Sequence, residues 1–291
     1  MRETVFHNVN RGHLSMSIAT LPISEASCVI RGTGTKKGRT PWLAPGTAAV
    51  QHLHYGRIIL DAGAPPLQFS NGGHETGLIS LKGHASVQVA GATYPLTQYD
   101  SLYIPRGREI AVSPGPDGCD LAEVSAAVDH DYPLQFVPYS AVKSDAGLSF
   151  NTGGPASQRH VSILIGKNVE AGRILAGITF STPGNWTSWP PHEHAEMLEE
   201  AYIYVDMPAP AWGVQFVYTD PKSPELAVVV REGDCVVMPQ GYHPNVAAPG
   251  GSIGFLWIMA AHREVADRQF GVVNVQPEYA ATKSGLEAGQ K

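Results

Sequence analysis

A chain of 291 residues with a formal net charge of −6 and only 16% charged residues offers no basic footprint for nucleic acid. Its 43% hydrophobic content is that of a folded protein; no run approaches a membrane span, and the polar first residues, Met-Arg-Glu-Thr-Val-Phe-His-Asn-Val-Asn-Arg, lack the apolar core of a signal peptide. Three widely spaced cysteines, Cys28, Cys119 and Cys235, form no CxxC pair and argue against a disulfide scaffold, so the chain reads as cytoplasmic.

Residues 1–50 are weakly patterned and read as an N-terminal arm. Lys36-Lys37-Gly38-Arg39 reads as an exposed loop, with Trp42 and Leu43 tucking the arm onto a neighbouring sheet or subunit. From His52 the texture changes to short β-rich runs: Arg57–Asp61, Leu78–Leu81, Ala85–Val89, Ser101–Ile104 and Glu109–Val112. Asn71-Gly72-Gly73, Lys82-Gly83, Pro105-Arg106-Gly107 and Pro114–Gly118 read as turns between or after them. Asp129–Ser149 is a less regular link, which places a domain boundary near residue 140. The second half repeats the pattern with strands expected at Val161–Ile165, Arg173–Ser181, Glu200–Val205, Gly213–Tyr218, Leu226–Val230, Cys235–Met238, Asn245–Ala248 and Ile253–Met259. A short helix is expected at Ser284–Gln290. Many short strands with Gly/Pro punctuation predict an all-β sandwich or barrel.

An internal repeat supports two similar units. Asp100-Ser-Leu-Tyr-Ile-Pro-Arg-Gly-Arg-Glu109 matches Asp234-Cys-Val-Val-Met-Pro-Gln-Gly-Tyr-His243, with Asp, Pro and Gly each 134 residues apart. The copies differ at their ends, where Glu109 corresponds to His243. The first copy also lacks the His192-Glu-His194 run that precedes the second, so chemistry is expected in the second unit.

In a strand, residues two apart share a face, so His192 and His194 can present both imidazoles to one cavity. Glu200 leads the run Ala-Tyr-Ile-Tyr, and Gly241-Tyr-His243 follows a strand and a tight turn. Three imidazoles and a carboxylate suit zinc, iron, manganese, nickel or cobalt, and the lack of a thiolate argues against a closed structural zinc site. Glu196 and Glu199 compete with Glu200; Glu199 has the more usual spacing from His194, whereas Glu200 shares a face with Tyr202 and Tyr204 and is preferred. His7, His13, His52, His54, His84, His130, His160 and His262 read as structural or surface residues. Trp186, Trp189, Tyr202, Tyr204 and Trp212 are aromatic types found more often in cores than as substrate platforms.

Gly233 and Pro239-x-Gly241-x-His243 resemble the second signature of the cupin barrels, and His192-x-His194 with a downstream Glu resembles the first. More specifically, the run from Pro183 to His194, Leu198-Glu-Glu-Ala-Tyr, Gln215-Phe-Val-Tyr-Thr-Asp220, Pro239-Gln-Gly-Tyr-His-Pro and Met259-Ala260 resemble the bicupin 5-deoxy-glucuronate isomerases of inositol catabolism. The likeness is concentrated in Arg159–Ala260, extends to His52–Val112 and fades at both ends. It implies two double-stranded β-helix (jelly-roll) barrels in tandem: an N-terminal barrel without metal over residues 1–140 and a C-terminal barrel with the active site over residues 141–291. It implies a divalent metal, zinc foremost, on His192, His194, Glu200 and His243, and aldose–ketose isomerisation of 5-deoxy-glucuronate to 2-deoxy-5-keto-gluconate. On that reading Glu200, Tyr218 and Gln215 are catalytic candidates. Arg159, Trp189, Tyr202, Gln215, Tyr242 and Arg263 are candidates for substrate contact. The partner is a small sugar acid, with no nucleic acid or membrane, and the chain is expected to form a homo-oligomer.

The sequence departs from that family at Gln240, where the isomerases carry Arg, and at Ala261-His-Arg263-Glu, where they continue with Gly-Pro and then an Arg and a Trp. Arg is the natural bidentate partner of a carboxylate, so Arg263 and Arg159 become its candidate replacements. A 5-keto-4-deoxyuronate isomerase, a cupin oxygenase and a non-catalytic sugar-acid-binding bicupin are the alternative readings.

Overall fold

Short apolar runs broken by glycine and proline form strands throughout, and the helices are one or two turns long. The computed structural model describes residues 22–283 and 285–290; His7, His13 and most of the expected N-terminal arm lie outside the described residues. In the first half, helix α1 (Glu25–Cys28) leads to β1 (Val29–Ile30), β2 (Gly38–Leu43), β3 (His54–Leu60), β4 (Leu67–Ser70), β5 (His74–Val89), β6 (Ala92–Leu96), β7 (Ser101–Ile104), β8 (Glu109–Ala127) and β9 (Gln135–Val137). Helix α2 (Tyr139–Ser144) precedes β10 (Ser149–Thr152), β11 (Arg159–Ile165), β12 (Ile174–Ser181), β13 (Trp186–Thr187), β14 (His192–Glu193), β15 (Leu198–Tyr204) and β16 (Gly213–Val217). The chain continues through β17 (Leu226–Val230), β18 (Cys235–Met238), β19 (Asn245–Ala247), β20 (Gly254–Ala261), β21 (Asn274–Val275) and a final helix α3 (Glu287–Gln290).

Strands β2 to β9 make one eight-stranded sheet. The remaining strands make a seven-stranded sheet in the order β1-β18-β15-β20-β12-β11-β10, a four-stranded sheet β13-β19-β16-β17 and the pair β14-β21. The N-terminal β1 therefore belongs to the second half's sheet, with Val29 opposite Val236 and Ile30 opposite Cys235.

The sequence repeat is a structural repeat. Asp100 Oδ2 accepts the Thr97 amide at 2.8 Å, and Asp234 Oδ2 accepts the Arg231 amide at 3.0 Å, across equivalent turns. Tyr99 and Gly233 both adopt positive φ (67° and 84°), as do Gly107 and Gly241 (73° and 82°), so the same left-handed positions recur in both copies. The interiors differ. Glu200 stands opposite Met238 in its pair with β18, and the corresponding pair in the first half is Thr76 opposite Ile104. Ile58, Leu78, Leu102, Ile104 and Val112 fill the first half's own interior, and Glu109 is exposed.

The two halves share one hydrophobic core, in which Tyr55, Ile79, Tyr103 and Val124 join Ile163, Ile174, Ile203 and Leu256. Two buried carboxylates lock this contact reciprocally. Glu75 accepts the backbone amides of Gly172, Arg173 and Ile174 at 2.8, 2.6 and 2.8 Å, at the start of β12. Glu199 accepts those of Gln51, His52 and Leu53, just before β3. Each half thus supplies an acceptor for backbone donors of the other.

Several turn signals prove to be irregularities inside long strands. Lys82-Gly83 interrupts the register of β5, and Pro114–Gly118 lies within β8. Gly83 has φ +69°, and a Cβ there would lie 2.3 Å from the Gly118 carbonyl oxygen, so the two chains cross where only glycine fits. Lys36 and Lys37 precede β2, but Gly38 and Arg39 begin it, so the expected basic loop is shorter; Leu43 is buried and Trp42 packs on the shared core. The expected C-terminal helix is seen as Glu287–Gln290, and residue 284 lies outside the described residues.

Candidate metal centre

His192 and Glu193 form β14 against Val275 and Asn274, and His194 follows at the turn into β15. The next strand carries Glu200 inward, and the turn after β18 delivers His243. Ligand atoms of His194, Glu200 and His243 all lie within 4.8 Å of one another, and the three side chains are buried. Glu200 Oε2 is 2.9 Å from His194 Nε2 and 3.1 Å from His243 Nε2. His192 lies outside this set of three, but its ring is 5.0 Å from that of His243 and 6.4 Å from that of His194. Glu199, one residue before Glu200, points away to its clamp on residues 51–53, so strand alternation separates the two carboxylates.

Each imidazole is oriented by the backbone. Nδ1 of His192 sits 2.9 Å from the Pro190 carbonyl, that of His194 3.2 Å from Leu198 O, and that of His243 3.0 Å from Gly241 O. A carbonyl accepts only from N–H, so Nδ1 carries the proton in all three and Nε2 faces the cluster. His243 Nε2 is buried and has no hydrogen-bond partner despite its closeness to Glu200. An orphaned imidazole lone pair beside a buried carboxylate is the donor set a divalent cation takes.

The electrostatics agree. Burial raises the Glu200 carboxyl, but His194 and His243 outweigh it and bring it down to about 2. Burial opposes charge on His194, yet Glu200 drives its pKa upward. Burial, with His243 and His194 adding to it, lowers His192 to about 3, so that ring is neutral. The site suits a divalent metal, with imidazole and carboxylate donors and no thiolate among the three clustered groups.

Gln215 lies behind the cluster and is fully buried. Its Nε2 donates to the carbonyls of Phe216, His243 and Pro244 at 2.8, 2.9 and 3.3 Å. Its Oε1 accepts from Tyr204 Oη at 2.5 Å and from Asn245 Nδ2 at 3.0 Å. The amide expected to meet substrate is instead engaged in fixing the backbone that carries His243.

A narrow cavity of about 40 Å³ opens beside the cluster and is lined by His192, Glu200, Tyr202 and Arg159 among others. Of the predicted contact residues, Arg159 and Tyr202 reach it. Tyr202 Oη is 2.8 Å from Ser188 Oγ, and burial, reinforced by Glu200, holds the phenol well above its ordinary pKa. Arg159 donates to the carbonyls of Ser157 and Trp189, both at 3.0 Å; burial pulls it down to about 10, with Tyr202 and Glu287 acting in the opposite direction. Trp189 contributes that carbonyl while its ring packs 5.0 Å from both Trp186 and Tyr279. Tyr218 and Tyr242 sit side by side, rings 5.7 Å apart, away from the cavity lining, and Tyr218 Oη donates to Gln276 Oε1 at 2.8 Å. Arg263 lies outside the lining too; it pairs with Asp267 at 2.6 Å with its own side chain 76% exposed.

Sequence reasoning missed Ser188, Trp257, Met259, Phe270 and Leu286 in the lining. The run Gly254–Ala261 is apolar at every position, so nothing in it marks which face meets the cavity. Phe270 and Leu286 come from the tail, whose path no local pattern encodes.

Residues 29–276 match the KduI/IolB family. The 5-deoxy-glucuronate isomerase of Geobacillus kaustophilus HTA426 is 32% identical over 167 residues, 55% of this chain and 58% of that protein. The 5-deoxy-glucuronate isomerase of Bacillus subtilis 168 is 25% identical over 197 residues, 64% of this chain and 70% of its own length. The match with the Geobacillus protein thus spans less than two thirds of that relative. In structure, the chain resembles an IolB-like protein of Salmonella typhimurium LT2, with a TM-score of 0.77 at 24% identity over 87% of this chain and 98% of the other. It shares the fold more distantly with Bacillus subtilis oxalate decarboxylase OxdC, TM-score 0.58 at 12% identity over 81% of this chain and 77% of that one. The architecture is all-β and cupin-like.

Proposed function

This chain belongs to the KduI/IolB family, and on that basis we propose that it is a metal-dependent aldose–ketose isomerase of a deoxy-hexuronate, converting 5-deoxy-glucuronate to 2-deoxy-5-keto-gluconate. The observation that carries this reading is the buried His194–Glu200–His243 cluster, with His192 beside it, opening into a cavity that holds Arg159. The two halves are two double-stranded β-helix barrels in tandem, divided near residue 140, and the second carries the site. Three buried, unpaired cysteines fit a reducing cytoplasm, where the chain works as a homo-oligomer on a small sugar acid.

His194, Glu200 and His243, with His192 alongside, hold a divalent metal, zinc by its tolerance of nitrogen and oxygen donors. When bound, the metal supplies Lewis-acid polarisation of the substrate oxygens. Arg159 binds the substrate carboxylate, its guanidinium already held by two backbone carbonyls. Tyr202 stays protonated and donates from Oη to a substrate oxygen. Glu200, which lines both cluster and cavity, is the carboxylate placed to carry a proton between adjacent carbons. Burial of all these groups keeps bulk water from the carbanionic stage.

Purified protein is expected to contain about one divalent metal per chain, as an open catalytic site implies. It should interconvert the aldehyde and ketone forms of the deoxy-uronate. His194→Ala and His243→Ala should each lose both metal and turnover. Full activity in both variants, or in chelated protein, would reject the reading.

A further inference from the structure

We infer that the outer face of strands β10 and β11 carries a second, hydrolytic site, in which Ser149 is a nucleophile for small carboxylic esters, His160 is its general base and Asn151 positions His160. The site is separate from the metal cluster. Arg159 and Val161 line the cavity from one face of β11, whereas His160 and Ser162 alternate to the other.

Strand register brings the three residues together. Ser149 stands opposite Ser162 and Asn151 opposite His160, so four polar side chains share one face of an antiparallel pair. Ile163 N donates to the Leu148 carbonyl at 2.7 Å, which marks a hydrogen-bonded position and leaves both polar pairs at the closer, non-hydrogen-bonded ones. His160 Nδ1 is 2.9 Å from Asn151 Oδ1, and its Nε2 is 3.0 Å from Ser149 Oγ. An amide oxygen accepts only from N–H, so Nδ1 carries the proton and the Nε2 lone pair faces the Ser149 hydroxyl. A hydroxyl, an imidazole and an orienting side chain in that order are the parts that acyl transfer needs. Burial lowers the His160 pKa from its ordinary value, which keeps the ring neutral and able to accept a proton.

Ser162 competes for the same ring, with Oγ 3.3 Å from His160 Nε2, but it is fully buried and Tyr139 Oη lies 3.4 Å from it. Ser149 is partly exposed, and its partners Asn151 and His160 line an open groove of about 510 Å³ with Gln158, Phe180 and Thr182. Phe180, opposite His160 on β12, gives that groove an apolar surface for an acyl chain. Strand β10 ends its sheet, so the Asn151 N–H points out of the edge and offers a backbone donor to the oxyanion of a tetrahedral intermediate.

In the reaction, Ser149 Oγ bonds to the ester carbonyl carbon as its proton passes to His160 Nε2. The bond to the alcohol oxygen breaks, and that oxygen takes the proton. Water then adds to the acyl carbon by the same route, which releases the carboxylic acid and restores Ser149 and His160. Asn151 orients the imidazole but, being neutral, does not compensate the charge of the imidazolium.

The test uses the metal-loaded full chain and a fluorophosphonate, which phosphonylates an activated serine hydroxyl with loss of fluoride and is read by intact mass and peptide mapping. The label should fall on Ser149 and be absent from Ser149→Ala. His160→Ala should slow labelling by about 100-fold or more, the usual contribution of a general base. Ser162→Ala should still be labelled. Asn151→Leu should slow the reaction and Asn151→Asp should match or exceed the parent, a rescue that a merely structural asparagine would not show. p-Nitrophenyl acetate should acetylate the same serine and turn over. No label, a label on another residue, or an unchanged rate in His160→Ala would overturn the site, and labelling without ester turnover would overturn its hydrolytic step.

Discussion

Each imidazole of the cluster is fixed twice, by a carbonyl at Nδ1 and by the backbone that carries it, and for His243 that backbone hangs on Gln215. Gln215→Leu is expected to keep the fold and weaken metal binding about 10- to 100-fold, the usual effect of removing an outer partner of a ligand. Titration against a competing chelator measures it, and unchanged affinity would assign Gln215 to packing alone. The ligand types themselves were legible in the sequence, because imidazoles at i and i+2, a strand-leading Glu and Gly-x-His carry their chemistry in identity and spacing. What each polar side chain touches was not. Gln215 reads as a contact residue until its five hydrogen bonds are seen. Arg159 and Arg263 are equal candidates on paper, and only burial against exposure separates them.

At the scale of elements, strand alternation decides between neighbouring carboxylates: Glu200 faces the cluster and Glu199 faces the other half's backbone. Glu199→Ala takes the acceptor from the amides of residues 51–53, of which the Leu53 amide is buried and cannot turn to water instead. At ~1–3 kcal/mol for a buried unsatisfied donor, a loss of about 1–3 kcal/mol is expected. The exposed neighbour variant Glu196→Ala should change stability by less than about 0.5 kcal/mol, and equal denaturant midpoints for the two would refute the clamp. Most strands follow from apolar runs and turn residues, but β5 and β8 are longer than those signals allow. Lys82-Gly83 and Pro114–Gly118 carry turn chemistry, yet tertiary pairing over many residues absorbs both as local irregularities. Glycine marks a bend without saying whether the chain reverses there.

Across the whole molecule, the link after β8 is pinned to the second half by Glu264, which accepts the amides of Asp129 and His130 at 3.0 and 3.3 Å and Tyr132 Oη at 2.7 Å. Burial alone would raise this carboxyl, but those donors outweigh it and leave it below the ordinary value. A depressed folded value stabilises the protein above the unfolded pKa of about 4.3 and loses that contribution as pH falls through the folded one. The difference in thermal midpoint between the parent and Glu264→Gln should therefore be constant above about pH 5 and shrink on acidification below it. A difference that grows on acidification would contradict the assignment. The reciprocal grip of Glu75 and Glu199 has a consequence for the chain's continuity. If each half completes the other's backbone, the covalent link between them is dispensable once both are present. A cut in the exposed stretch at Asp145 and Ala146, between α2 and β10, should yield fragments that complement in trans when co-expressed and precipitate when made alone.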